Sequence, residues 1–334
     1  MEKFYYVDGY KTDLKGLVNE VAIKNVREVF QNKLFRYLKL FRVTAPLFVM
    51  SKTGINDDLN GTEKPVSFHL SDFENDIEIV HSLAKWKRLN IGKYGFDVYQ
   101  GLYTNMNAIR KDELRDNYHS IYVDQWDYEV IIKKEDRHLN TLKVYVNKVY
   151  QALKDTEDYV YEQYGISRNL PDTIKFITSE ELLKLYPNLT PDERVNEIVR
   201  KEKAVFASGI GYPLSDGVKQ DGRAPDYDDW KLNGDLFVYN DLLDNALELS
   251  SMGIRVDAQS LKEQSIFAHK EDNLKLMYQQ KVLNEEVPYT LGGGIGQSRI
   301  CLFLLKKLHI GEVQSSIWDK ETVDFFASKG IEIL

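Results

Sequence analysis

The spacing of apolar residues along the chain predicts long helices that alternate with short strands. From Asp13 to Leu40 apolar side chains recur near helical spacing without a proline, which predicts one long amphipathic helix. The same lack of helix-breaking residues predicts helices from Arg137 to Tyr164 and from Leu261 to Leu283. Another helix is expected to begin after Thr190, because a threonine N-cap, a proline in the first turn and Glu193 form the pattern of a capping box.

Clusters of β-branched and aromatic residues predict strands between these helices. The predicted strands are Phe41 to Val49, Ile77 to Val80, Gly101 to Tyr103, Ser120 to Val123, Ala204 to Ile210 and Asp235 to Tyr239. Pro46 would remove a ladder hydrogen bond from a central strand, so we expect the first of them at an edge or an interface. The whole pattern predicts a mixed, α+β fold.

Composition narrows the class of protein. At 334 residues the chain can bury a full core, and no linker rich in Pro, Gly and Ser divides it, so we expect a single domain over residues 1–334. The net charge of −8 and the scattered basic residues argue against a nucleic-acid partner. No signal peptide and no run of about 18 uncharged apolar residues is present, which predicts a cytoplasmic protein without a membrane partner.

The single cysteine limits the chemistry further. Cys301 lies in an apolar run, where it is expected to be a small core residue in a reducing compartment rather than a nucleophile. With one cysteine, neither an internal disulfide nor a cysteine-rich zinc site can form.

A glycine-rich segment, GGGIGQSR at residues 292–299, is the first candidate site. Three successive glycines leave the backbone open to a flat ligand, and Arg299 follows where a helix would begin. A glycine cluster before a helix is also typical of a plain turn. The segment therefore predicts a nucleotide site only if other segments support it.

Two further segments supply phosphate and amine recognition. Arg110 and Glu113 follow a predicted strand, and Gln125 and Asp127 share one face of the next strand, because side chains alternate along a strand. A surface salt bridge is the simpler interpretation of the first pair. In HSLAKWKR, residues 81–88, the basic cluster is either a solvated helix face or a carboxylate site.

Two polar loops, residues 51–65 and 215–230, carry closely spaced aspartates. A solvated surface is the usual interpretation of such loops. Their carboxylates could also hold a metal ion or an ammonium ion.

Seven segments then occur in a recognisable order. They are HSLAKWKR, GLYTNMNAIR, YVDQWD, LSDG, APDYDDW, ELSSMGIRVD and GGGIGQSR. Together they resemble the ammonia-dependent asparagine synthetases, or aspartate–ammonia ligases, which are free-standing relatives of the class II aminoacyl-tRNA synthetases. The resemblance covers essentially the whole chain. It departs from the family pattern where only Lys231 and Leu232 join APDYDDW to NGD, which leaves the rim of the site uncertain.

The resemblance implies a fold and a reaction. The fold is a class II synthetase-like antiparallel sheet flanked by helices, closest to aspartyl-tRNA synthetase but without an anticodon-binding domain. The reaction joins L-aspartate and MgATP into β-aspartyl-AMP with release of pyrophosphate, and ammonia then displaces AMP to give L-asparagine. Helix 1 and the Pro46 strand would form a two-fold homodimer.

The resemblance also implies roles for individual residues. Asp57, Arg110 and Gln125 would be catalytic, with Asp57 acting on ammonia and Arg110 on the α-phosphate. Asp228 would be a further candidate for the contact with ammonia, and aspartate would be bound by Lys87, Asp127, Ser250, Ser251 and Arg255. ATP would be bound by Arg110, Glu113, Glu248, Gly292, Gly293, Gly294 and Arg299, and Mg²⁺ by Asp235 and Glu248.

Several alternatives remain open from the sequence. Asp58 is next to Asp57 and competes with it for the ammonia role. The loop of residues 51–65 is a candidate lid, with Gly54 and Gly61 as hinges. A tRNA-synthetase paralogue, or a non-catalytic sensor of aspartate, asparagine or AMP, would carry a similar core.

Overall fold

The computed structural model describes residues 4–57, 59 and 63–334. Its helices are α1 (Gly16–Leu38), α2 (Ala84–Ile91), α3 (Leu139–Tyr164), α4 (Ser179–Leu185), α5 (Pro191–Glu202), α6 (Ala258–Phe267), α7 (Met277–Leu283), α8 (Gln297–Leu304) and α9 (Lys320–Ser328). Short 3₁₀ segments cover Lys134–Asp136, Glu271–Lys275 and Ile310–Glu312. The predicted α+β fold is confirmed.

The strands are β1 (Leu40–Arg42), β2 (Phe48–Met50), β3 (Ser67–Phe68), β4 (Ile77–Ile79), β5 (Gly101–Ile109), β6 (Tyr122–Ile131), β7 (Lys175–Thr178), β8 (Ala204–Ser208), β9 (Asp228–Asn240), β10 (Asn245–Arg255) and β11 (Thr290–Gly296). Eight of them form one sheet in the order β1-β5-β6-β11-β10-β9-β8-β7. The six central strands are antiparallel, and β1 and β7 lie parallel to their neighbours at the two edges. A second sheet has the order β2-β4-β3.

Two predicted elements differ from the structure. The single strand predicted from Phe41 to Val49 is wrong, because β1 joins the large sheet and β2 joins the small one, with Pro46 in between. Proline has no backbone N–H to give to a ladder, and the chain changes sheets there. The predicted helix from Leu261 to Leu283 is divided, because His269 adopts a left-handed φ of 55° after α6.

The two faces of the large sheet have different partners. On β6, Trp126, Tyr128 and Val130 belong to the main hydrophobic core, which also contains buried residues of α1, α3 and α8. Since side chains alternate along a strand, Gln125 and Asp127 lie on the opposite face. That face carries the polar cavity described below. The core also contains Cys301, as predicted.

Local signals define the helix ends where they are strong. The predicted capping box at Thr190 is present, because the threonine hydroxyl accepts the N–H of Glu193 at 3.4 Å and the glutamate accepts the N–H of Thr190 at 2.8 Å. Helix α3 ends at Gly165, which takes the left-handed conformation with a φ of 69°.

Candidate active site

A cavity of about 340 Å³ lies on the polar face of the large sheet. Residues from β6, β10 and β11 line it, together with the polar loops of residues 51–65 and 215–230. Twelve of the sequence-predicted site residues line it: Asp57, Arg110, Glu113, Gln125, Asp127, Asp228, Glu248, Ser251, Arg255, Gly293, Gly294 and Arg299. Four others, Lys87, Ser250, Gly292 and Asp235, lie outside its lining.

Strand register explains how distant segments meet in this cavity. Gly294 is opposite Asp127 on one side and opposite Ser251 on the other, and Gly296 is opposite Gln125. Ser250 points away from the cavity lining, and its hydroxyl donates to the carbonyl of Gly294 at 3.0 Å. The glycine strand therefore lies between the two strands that carry the polar side chains.

Buried charges form the floor of the cavity, which we define as Lys87, Asp127, Glu129, Asp228 and Arg255. The Lys87 ammonium contacts the Asp127 carboxylate and donates to the carbonyl of Tyr128 at 2.8 Å. Arg255 donates to Glu129 at 2.8 Å and to Asp228 at 2.5 Å. All five side chains are buried, so the two cations and three carboxylates interact in a medium that screens poorly.

The interpretation of HSLAKWKR as a solvated helix face is wrong, because its basic side chains are buried. Lys85, Lys87 and Arg88 are all buried, with exposures of 4%, 0% and 1%. Arg88 donates to the carbonyl of Val256 at 2.7 Å and to that of Pro288 at 3.1 Å. The cluster is part of the interior because each cation has oxygen acceptors there.

The glycines of β11 are required for a reason other than contact with a flat ligand, because a Cβ at two of them would clash with side chains of β6. A Cβ on Gly292 would lie 2.1 Å from a carboxylate oxygen of Glu129, and one on Gly294 would lie 2.4 Å from the amide oxygen of Gln125. These two glycines leave room for the protein's own polar side chains. Gly293 and Gly294 still line the cavity, whereas Gly292 is covered by the floor.

The arginine wall, which we define as Arg110, Glu113, Glu248 and Arg299, is more open. Arg110 and Glu113 are 4.0 Å apart, and each side chain is 27% exposed. Arg299 donates to the carbonyl of Glu248 at 3.0 Å and lies 3.5 Å from its carboxylate. The Nε of Arg110 is buried without a hydrogen-bond partner. The predicted surface pair is therefore present, but it faces the cavity.

Asp57 is held at one end of the cavity by a network of backbone contacts. Asn56 accepts the N–H groups of Asp57 and His81 at 3.0 and 2.9 Å, and the His81 ring contacts the Asp57 carbonyl at 3.0 Å. Burial is the main cause that raises the pKa of Asp57 to about 7. Asp58 and Gly61 lie outside the described residues, so the choice between the two aspartates stays a prediction.

The predicted metal carboxylates occupy the border of a second cavity of about 330 Å³. Asp235 accepts a hydrogen bond from Arg223 at 2.6 Å, and burial, followed among the raising causes by the charges of Glu248 and Asp221, raises its pKa to about 7. Among the described residues no group of three or more His, Cys, Asp or Glu side chains could hold a metal ion. The donors present fit only an ion that takes most of its ligands from phosphate and water.

The sequence interpretation missed two polar residues that line the cavity, Arg223 and Asp124. Arg223 lines it and pairs with Asp235. Asp124 also lines it and accepts hydrogen bonds from Arg27 of α1 and from Ser298, both at 2.8 Å. Asp124 lies in the motif YVDQWD and Arg223 in the polar loop of residues 215–230, but no local pattern showed which of their charges would face inward.

The fold and the polar cavity together place the protein in the structural class of class II aminoacyl-tRNA synthetases. Asparaginyl-tRNA synthetase from Entamoeba histolytica, in complex with asparaginyl-adenylate, matches with a TM-score of 0.60 and 13% identity, over 90% of this chain and 67% of that one. Aspartyl-tRNA synthetase from the same organism matches with a TM-score of 0.58 and 14% identity, over 92% and 60%. At such identities the likeness shows the fold alone.

Closer relatives define the family. The model of the aspartate-ammonia ligase family matches residues 17–330. The aspartate–ammonia ligase of Lactiplantibacillus plantarum is 53% identical over 313 residues, which cover 93% of this chain and 97% of that protein. That of Clostridium perfringens is 53% identical over 336 residues, which cover 100% of both chains. The chain belongs to the aspartate–ammonia ligase family.

Membership of this family makes the protein an enzyme of asparagine biosynthesis that uses aspartate and ammonia. The alternatives of a tRNA-synthetase paralogue and of a non-catalytic sensor are thereby set aside. A separate observation concerns membranes: within the described part of the chain, no helix has both the length and the apolar character needed to span one.

Proposed function

We propose that the enzyme first uses MgATP to convert aspartate into β-aspartyl-AMP and then transfers ammonia to the activated carbonyl, releasing AMP. One observation carries the proposal: the charged floor and the arginine-bearing wall meet in a single cavity. The carboxylate of the substrate and the phosphate chain of ATP can therefore lie side by side, which is what an in-line attack on the α-phosphate needs.

The floor supports recognition of aspartate. Its two cations face three carboxylates, which leaves one negative charge uncompensated and suits the α-ammonium of the substrate. Asp127 lines the cavity and is the proposed contact for that ammonium. Arg255 and Ser251 also line it and are proposed to meet the substrate carboxylates, while Lys87 contributes its charge from beneath Asp127.

The wall supports nucleotide binding. Arg110 has an unpaired buried Nε and only a distant acidic partner, so its guanidinium can take up the α-phosphate and stabilise the charge that grows there. Arg299 is proposed to contact adenine or the terminal phosphate. Glu113, the acidic partner of Arg110, is proposed to orient the nucleotide.

Glu248 is the proposed magnesium carboxylate, with Asp235 as its partner. Magnesium usually keeps several waters and takes one or two protein carboxylates, which fits the donors at this border of the two cavities. When bound, the ion would neutralise phosphate charge. Asp235 is occupied by Arg223 in this structure, so we propose Glu248 as the primary ligand.

Asp57 is proposed to prepare the nitrogen nucleophile. Its carboxylate would hold an ammonium ion and take one proton from it, and the resulting ammonia would attack the β-carbonyl carbon. The bond from that carbon to the phosphate oxygen then breaks, AMP leaves with the bonding electrons, and the nitrogen loses a second proton to solvent to give the neutral amide. Gln125 lines the cavity next to the floor and is proposed to orient the carbonyl, with Asp228 as a further polar contact.

The lid and the assembly also remain proposals. The first half of the loop of residues 51–65 is fixed, since Ser51 donates to Asp76 at 2.9 Å and Tyr278 donates to Thr53 at 3.1 Å. Residues 58 and 60–62 of the predicted lid lie outside the described residues, so its closure stays a prediction. Leu17 and Val18 of α1 are 79% and 57% exposed, which supports a homodimer through this helix.

The net charge of −8 supports a protein that does not bind nucleic acid, and we keep a single catalytic domain and a cytoplasmic location as predictions.

The test follows all products of one reaction. Purified enzyme is incubated with aspartate, MgATP and ammonium, without RNA, and asparagine, AMP, ADP and pyrophosphate are measured by mass spectrometry. Asparagine with equimolar AMP and pyrophosphate is expected. Formation of ADP in place of AMP would show phosphoryl activation and would overturn the adenylate mechanism.

A further inference from the structure

Behind Asp57 lies a buried ion pair that the proposed reaction does not use. Lys85 of α2 donates to the carboxylate of Asp226 at 2.8 Å, and their side chains are 4% and 8% exposed. The amide of Gln279, on α7, donates to the same oxygen at 2.6 Å. Three segments that are far apart in the chain thus meet at one carboxylate.

The same contacts extend to the loop that carries Asp57. Gly54 has a φ of 75°, and a Cβ there would lie 2.1 Å from the amide oxygen of Gln279. The neighbouring N–H of Tyr278 donates to the carbonyl of Thr53 at 3.1 Å. The loop therefore packs directly on the helix residue that also binds Asp226.

The pair acts on Asp57 through two opposite charges. Lys85 lowers the pKa of the Asp57 carboxyl, and Asp226 raises it, against the larger effect of burial. Arg110 also faces Asp57 and lowers its pKa. The N–H of Leu59 donates to the carboxylate at 3.0 Å, and the buried Tyr227 hydroxyl interacts with it as well.

We propose that Lys85 and Asp226 are positioning residues for the ammonia step, because their shared contacts hold the loop that carries Asp57 and their opposed charges act on its carboxylate. The proposal rests on the proposed role of Asp57. A carboxylate that receives a proton from ammonium must be ionised to attract the cation, yet basic enough to accept the proton. A balanced pair of fixed charges is a means of meeting both needs.

The experiment compares the pH profiles of the variants K85M, D226N and K85M/D226N with that of the wild type. Asparagine formation is measured from pH 5.5 to pH 9 at a fixed, subsaturating concentration of ammonium ion. We expect the acidic limb to move upward in pH for K85M and downward for D226N, each by roughly half a unit to one unit. In the double variant it should lie between the two.

A matched control is K93M, since Lys93 is an exposed lysine two residues after α2 that donates only to Asn90. Its profile should match the wild type. K85R keeps the charge and should keep the position of the limb. Because removal of a buried partner can destabilise the fold, the urea midpoint of each variant is measured. If K85M does not fold, the positions of the acidic limb in K85R and D226N are compared instead.

A second readout separates this proposal from the proposed function. Aspartate-dependent exchange of pyrophosphate into ATP needs no ammonia, and it should stay within about threefold of the wild type in the folded variants. If the wild type itself shows neither exchange nor asparagine formation, the adenylate mechanism fails, and this role fails with it. If the wild type is active and the variants move the limb in the same direction or not at all, the positioning role alone is wrong.

Discussion

The floor and the arginine wall use similar residue types in opposite ways. In the floor, Arg255 is 2% exposed and makes close ion pairs with Glu129 and Asp228. In the wall, Arg110 is 27% exposed and lies 4.0 Å from Glu113. An arginine with satisfied partners in a poorly screened interior is already fixed, whereas an arginine with a distant partner is free to meet a ligand.

This difference indicates how the cavity divides its tasks. The floor positions charges before any substrate arrives, and its partners would be left buried and unpaired if one were removed. The wall contributes little to the folded state, and under the proposed function its charge is directed to the phosphates. We therefore expect changes in the floor to affect stability and activity together, and changes in the wall to affect activity alone.

The largest effect is expected from R255M in the floor. Removal of the guanidinium leaves Glu129 and Asp228 buried without their main partner, which should lower the free energy of unfolding by about 3–5 kcal/mol. Urea denaturation measures the loss. The control is R200M, because Arg200 pairs with Asp244 on the exposed surface and its loss should change little. An unchanged midpoint for R255M would contradict a preorganised floor.

The next effect is expected from R110Q in the wall. Loss of a guanidinium that stabilises transition-state charge should lower kcat about 100- to 1,000-fold. The urea midpoint should stay near that of the wild type, since the Glu113 pair is long and partly exposed. Arg115 is the matched control, because it follows five residues later, lies 3.9 Å from Asp319 and does not line the cavity. Equal kcat losses in R110Q and R115Q would argue against a specific phosphate contact.

A smaller effect is expected from R299K, which keeps the charge of the wall but loses the planar guanidinium. Its contacts to Glu248 involve one nitrogen, and a lysine cannot stack on adenine in the same way. We expect the KM for ATP to rise about tenfold, equivalent to about 1.4 kcal/mol, with the KM for aspartate unchanged. Steady-state kinetics with each substrate varied separates the two. An equal rise in the KM for aspartate would show that Arg299 does not act on ATP alone.

The last prediction concerns the pH dependence of stability and not the kinetics. Burial raises the pKa of Asp57 from its ordinary value of 3.8 to about 7, so the folded state binds the extra proton within that window. Stability from this group is therefore lost as the pH rises from about 4 to about 7. D57N removes the effect, and its Tm should exceed that of the wild type by more at pH 8 than at pH 5. An equal difference at both values would show that Asp57 titrates as an exposed carboxyl.

The sequence was sufficient for features that depend on neighbouring residues. The lack of helix-breaking residues predicted a helix over Arg137 to Tyr164, and the structure has α3 from Leu139 to Tyr164. The capping box at Thr190 is a contact between residues three apart, and Cys301 lies within an apolar run. The order of seven motifs indicated the family, because each motif is continuous in the chain. Strand alternation also placed Gln125 and Asp127 on one face.

Only the tertiary structure decided which charges are compensated. Lys87 meets Asp127 from 40 residues away, and Lys85 meets Asp226 from 141 residues away, so no local pattern could show that this helix face is buried. The same holds for Gly292, whose missing Cβ makes room for Glu129 of another strand. The sequence determined the elements and the kinds of charge, because these depend on short spacing. The fold decided how the charges pair, because pairing depends on sheet register and on contacts between distant segments.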